Sequence, residues 1–178
     1  MNKYKNITLF LVKFFGAYFL LFALYAYYLS NKQQKATIFQ CAPLTTQVAD
    51  QTVGVLNFLG YNATSLQHDK EMSVKLLIND SYVARVIEGC NSISIIILFI
   101  AFIVAFTGSK LATILYALIG SLIIYVINIL RIAFLTMMLY KYPDQQEFLH
   151  NIVFPAIIYG TTFLLWVIWV HKFSNYKK

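Results

Sequence analysis

Residues 91–130 read NSISIIILFIAFIVAF, then TGSK, then LATILYALIGSLIIYVINIL. The two outer pieces are apolar and carry no charged residue. An apolar helix of about 20 residues crosses the roughly 30 Å of bilayer hydrocarbon. Residues 111–130 meet that length; residues 91–106 are short, with Val86 and Ile87 as a backward extension. The intervening TGSK, 107–110, has room only for a tight turn. The pair therefore reads as an antiparallel helical hairpin in a membrane.

Two further runs stand outside this hairpin. Ile7–Leu29 is apolar over 23 residues, with Lys13 close enough to its start to reach the surface. It has no small-residue cleavage site and reads as a retained signal anchor. His150–Val170 is the last run; Pro155 stands near its start and Gly160 permits close helix packing. Composition agrees: 60% hydrophobic, 12% charged and a mean hydropathy of +0.66, where soluble domains carry about 25% charge. A soluble domain, a disordered chain and a disulfide-rich secreted module are all excluded. The sequence predicts an all-α membrane protein, a polytopic four-helix transmembrane bundle forming one domain over residues 1–178. The expected spans are about 7–29, 91–106, 111–130 and 150–170.

Charge sets the expected orientation. With the N-terminus inside, the cytoplasmic pieces 1–6, 107–110 and 171–178 hold Lys3, Lys5, Lys110, Lys172, Lys177 and Lys178 and no acid. Cytoplasmic segments carry an excess of Lys and Arg, so both termini are expected inside. Loop 30–89 then lies outside. Within it, residues 44–61 are weakly amphipathic and fit either an interfacial helix or part of a small loop fold. Residues 72–87 partly alternate around Asn79–Asp80, which fits a short β-hairpin leading to Cys90. Residues 132–140, IAFLTMMLY, either prolong the third helix or run along the surface.

This topology gathers polar residues. Cys90 precedes the second helix, Asn128 and Arg131 end the third, and His150 opens the fourth. At 1.5 Å of rise per residue they reach similar depth on the outer face. A cation and a helix N-terminus both favour a thiolate, so Cys90 is the candidate nucleophile. Arg131 stays protonated and would stabilise the thiolate or an oxyanion; His150 would act as general acid and base. Asn128, one turn before Arg131, and Glu147, one turn before His150, are supporting candidates. One Cys and one His beside an Arg make no zinc set, so neither metal nor cofactor is expected. No basic stripe suggests nucleic acid. Cys41 could pair with Cys90, which would silence the nucleophile; it is expected instead to be free or incidental.

The ordered set EGCNSISI (88–95), NILR (128–131) and His150 resembles the exosortase/archaeosortase family of multipass membrane cysteine transpeptidases, closest to its small XrtF form from Bacteroidetes-type bacteria. The resemblance implies catalytic roles for Cys90, Arg131 and His150. It implies a site on the periplasmic side of the bacterial cytoplasmic membrane. The implied substrate is an exported protein ending in a short motif, a transmembrane stretch and a basic tail. A lipid- or polysaccharide-linked amine is the implied acceptor. Larger members commonly have Gly soon after the Cys; here Asn91-Ser92-Ile93 follows. The competing reading is a non-enzymatic membrane scaffold of an envelope export system, with the polar cluster as an interhelical network.

Overall fold

Backbone inside hydrocarbon must satisfy its own hydrogen bonds, which leaves helices for the apolar runs. The computed structural model describes residues 2–32, 40–106 and 108–173. Lys177 and Lys178, counted above for orientation, lie outside the described residues, as does Thr107 of the turn. The helices are α1 (Asn2–Lys32), α2 (Pro43–Phe58), α3 (Ile93–Ala105), α4 (Lys110–Lys141), α5 (Gln146–Phe148) and α6 (Phe154–Lys172). The strands are β1 (Ala63–Gln67), β2 (Ser73–Ile78) and β3 (Ser81–Ile87).

Among the described residues three helical stretches are long and apolar enough to cross a membrane: Ile7–Lys32, Lys110–Lys141 and Pro143–Lys172. The chain is a multi-pass membrane protein. The expected span at 91–106 shrinks to α3, 13 residues or about 20 Å, short of the hydrocarbon thickness. The cause is local. Ser92 takes a left-handed φ of 62° and Phe106 turns extended at ψ 126°, so neither continues the helix. The expected span at 111–130 grows instead, because residues 132–140 prolong α4 to 32 residues, about 48 Å. The last stretch is helical from Pro143 rather than from His150, and passes through a π-helical segment, Leu149–Val153.

Contacts fix the helix directions. Phe10 of α1 meets Phe102 and Phe106 of α3, while Tyr25 of α1 bonds to Asn91 just ahead of α3. Tyr116 of α4 donates to the Leu165 carbonyl of α6 at 2.7 Å. Neighbours therefore alternate in direction. The core between α3, α4 and α6 holds Phe99, Ile103, Ile124, Ile158, Leu165 and Trp169.

The loop is a small α/β unit, which corrects the all-α reading. The expected hairpin is there, turning at Asn79 and Asp80, both at positive φ. A third strand, β1, joins it to give the antiparallel order β1-β2-β3. ATSLQ hid this strand because its one large apolar residue, Leu66, is 55% exposed. Its start is fixed from α2: Asn57 donates to the Ala63 carbonyl at 3.2 Å and accepts from the Ala63 amide at 2.7 Å. β2 is central and buries Val74, Leu76 and Ile78. Helix α2 packs Val48, Ala49 and Leu56 into two clusters with these strands and with Ile132 and Ala133 of α4. Of the two expected readings of residues 44–61, this packing fits the one that makes them part of the loop fold.

Gly120 lets α3 and α4 approach: a methyl there would overlap the fully buried ring of Phe99. Gly120→Ala is expected to destabilise by about 1–3 kcal/mol through overpacking. Thermal unfolding in detergent reads this. Phe99→Leu in the same chain should recover part of the loss. Gly16→Ala, inside α1 with open space at its Cβ, should not lower the midpoint, since Ala is the better helix former.

Candidate functional site

Cys90 ends a short 3-10 turn, Glu88–Cys90, that joins β3 to α3. The turn is clasped from both sides. The Glu88 carboxylate accepts from the Ala42 amide at 2.6 Å and from the Thr45 hydroxyl. These groups open α2, whose N-cap residue offers no side-chain cap, so Glu88 supplies the negative charge that a helix N-terminus favours. On the other side stands Asn91, 1% exposed. Its amide nitrogen donates to the Tyr25 hydroxyl at 2.7 Å and the Thr45 hydroxyl at 3.2 Å. Its oxygen accepts from the Ile93 amide at 3.1 Å. Ser92 holds its left-handed backbone with its hydroxyl on the Asn91 carbonyl, 2.6 Å. Such conformations cost energy and persist where the surroundings fix them. Asn128 of α4 completes the support, donating to the Cys90 carbonyl at 2.8 Å.

Cys90, Asn128, Arg131 and His150 line one cavity of about 190 Å³. Helix α4 brings Asn128 and Arg131 to it one turn apart. The π-helical segment brings His150, which is exposed. Phe154 organises the two basic side chains. The Arg131 guanidinium lies 4.2 Å from its ring centroid, and the His150 ring meets it edge-on at 5.6 Å. Cys90 and Tyr159 line the same cavity as Arg131. Two polar atoms here are buried without a hydrogen-bond partner among the described residues, Asn128 Oδ1 and Arg131 Nε. Buried groups of this kind are rare, and both residues line the cavity.

Glu147 does not reach this cavity. It is exposed and lines a separate recess with His150, Asp144 and Asn151, and no hydrogen bond joins it to His150 among the described residues. Cys41 and Cys90 are both free thiols, though both touch the same apolar cluster under the sheet. Cys41 is buried; Gln67 donates to its sulfur at 3.7 Å.

Sequence reasoning missed Phe154, Tyr159 and the partners of Asn91. Phe154 sits four residues after His150, on the same helical face, and that spacing was the available signal. Tyr159 and Tyr25 carry none, being aromatic residues inside apolar runs. Asn91 and Glu88 flank Cys90 directly, but their partners at 25, 42 and 45 are far away in sequence.

The sequence profile of transmembrane exosortases matches residues 7–168 of this chain. No curated protein and no solved structure matches it.

Burial pushes the Cys41 thiol up; the Gln67 hydrogen bond opposes this and the Glu88 charge adds to it. A thiol raised in the fold contributes stability that is complete below its unfolded pKa, about 8.5. That contribution is lost as pH rises toward the folded value, because the unfolded chain ionises first. The unfolding midpoint is therefore expected to fall above about pH 8.5, and Cys41→Ala should flatten that limb. Thermal scans from neutral to alkaline pH check it.

Proposed function

The chain belongs to the transmembrane exosortase family, and from that premise we propose that it is a membrane-embedded cysteine transpeptidase or peptidase. It cleaves the C-terminal sorting signal of exported proteins on the outer face of the cytoplasmic membrane. The observation that carries this reading is the single cavity lined by Cys90, Asn128, Arg131 and His150. It lies at the sheet-bearing end of the bundle. Both termini are cytoplasmic in this reading, and α3 makes a fourth crossing, lengthened at its outer end by Asn91 and Ser92, which are buried in protein rather than exposed to lipid.

Each residue has a role suited to its chemistry. The Cys90 sulfur attacks the scissile carbonyl carbon, and its proton passes to His150. Arg131 stabilises the negative charge that develops on the carbonyl oxygen. The C–N bond then breaks, and His150 returns the proton to the leaving amine. A thioester on Cys90 remains. Water releases it as a carboxylate, or an amine acceptor linked to lipid or polysaccharide takes it as an amide. The stacking of Arg131 on Phe154 supports a fixed direction for the guanidinium, since a preorganised charge acts without reorientation. Asn128 supports the nucleophile through the Cys90 carbonyl. The substrate is an exported protein whose end carries a motif, an apolar span and a basic tail.

Cys90→Ala is expected to abolish processing at unchanged protein level. Arg131→Gln should slow it by on the order of 10²-fold, and Cys41→Ser should leave it intact. The readout is mass spectrometry of the C-termini of membrane and surface proteins from cells carrying each variant. Continued processing in Cys90→Ala cells would overturn the reading in favour of a scaffold.

A further inference from the structure

Five consecutive residues of β3, Tyr82 to Val86, line one cavity of about 490 Å³. Successive side chains of a strand point to opposite faces, so a cavity lying on a face would meet every second residue. One that meets five in a row runs along the strand's edge. β3 is an edge strand, with β2 on its one paired side. Alternate backbone N–H and C=O groups of such a strand point away from its partner, unpaired within the sheet. The facing wall is apolar: Ile132, Leu135 and Leu139 stand on one side of α4. Cys90, His150 and Phe154 line this cavity too, so the groove opens directly into the candidate catalytic cavity. The pairing of Leu76 with Ala84 and of Leu77 with Tyr82 leaves Val83 as an extra, bulged residue. The regular edge is therefore Ala84–Ile87, the part that runs into the turn bearing Cys90.

We propose that this edge is the substrate-binding site: the segment of the exported protein just ahead of its scissile bond lies along β3 as an added strand. The proposal rests on the transpeptidase reading above. It also fixes a direction. β3 runs toward Cys90, and a substrate whose apolar span follows the scissile bond runs the same way, so the two strands are parallel. Backbone hydrogen bonds to the edge supply affinity for any extended chain, and the α4 wall reads alternate side chains. Ala84–Ile87, four residues at about 3.3 Å each, reads roughly that many residues ahead of the cut.

The test uses a generic strand-forming probe, acetyl-Val-Thr-Val-Thr chloromethyl ketone, on the purified full chain in detergent. The Cys90 sulfur bonds to the methylene carbon, the C–Cl bond breaks, chloride leaves and the thiol proton goes to buffer. Two isomers carry N-methyl groups at alternate residues, one at the first and third, the other at the second and fourth. Iodoacetamide is the small reference reagent. Every rate is divided by that of the same reagent with free glutathione, and mass spectrometry locates the label at Cys90. The expected result is a clear rate advantage of the parent over iodoacetamide. One isomer, and only one, should lose about tenfold, since it removes the hydrogen bonds directed at the edge. Equal rates for both isomers and the parent would overturn strand addition while leaving Cys90 an accessible nucleophile. So would a parent no faster than iodoacetamide. If no reagent labels Cys90 until the protein is denatured, the transpeptidase reading falls, and the proposed site falls with it.

Discussion

A helix of 32 residues, α4, is about 48 Å long, and bilayer hydrocarbon is about 30 Å thick. The excess has to stand in water or be covered by protein. In this chain its C-terminal part is covered: Ile132 and Ala133 are core residues of the two clusters that α2 and the sheet build. The same helix buries Ile124 among α3 and α6 lower down. One rigid rod thus belongs to both layers, and the α/β unit is seated on the membrane bundle by a continuous backbone. Asn128 and Arg131 lie at the transition, where a polar side chain has both protein neighbours and a cavity.

The turn carrying Cys90 depends on that seating. It leaves β3, is clasped by Glu88 to the start of α2, by Asn91 to α1, and by Asn128 to α4. Buried polar groups are costly when unpaired, so each clasp selects a single arrangement of the elements that it joins. Asn91 ties α1, α2 and the start of α3. Together with the ring contacts of Phe10 on Phe102 and Phe106, this gives a helix as peripheral as α1, exposed along most of its length, a fixed position relative to the site.

Much of this was legible in the sequence, for physical reasons. Helix rise is linear in residue number, so the convergence of Cys90, Asn128, Arg131 and His150 at one depth follows from counting. The Asn79–Asp80 turn was legible because few residues tolerate two successive positive φ values. Three kinds of feature stayed hidden. Ser92, at its left-handed φ, keeps α3 from starting before Ile93, and an apolar run gives no warning of that. β1 is held by Asn57 and by pairing with β2 rather than by its own side chains. Tyr159 is an aromatic residue in an apolar run, indistinguishable there from lipid-facing neighbours until its partners are known.

The π-helical segment Leu149–Val153 has a consequence for chain length. Each residue of an α-helix turns its successor by about 100°, and a π turn absorbs one residue more than an α turn does. Removing a single residue from this segment would let α5 and α6 fuse into one regular α-helix. Because the π turn already takes up that residue within a single turn, the flanks 143–148 and α6 would keep nearly their present faces. The change would be local to the segment itself, and His150 lies inside it, so the extra residue sets where His150 stands relative to Phe154. The same deletion from the regular part of α6 would instead rotate everything before it by about 100°.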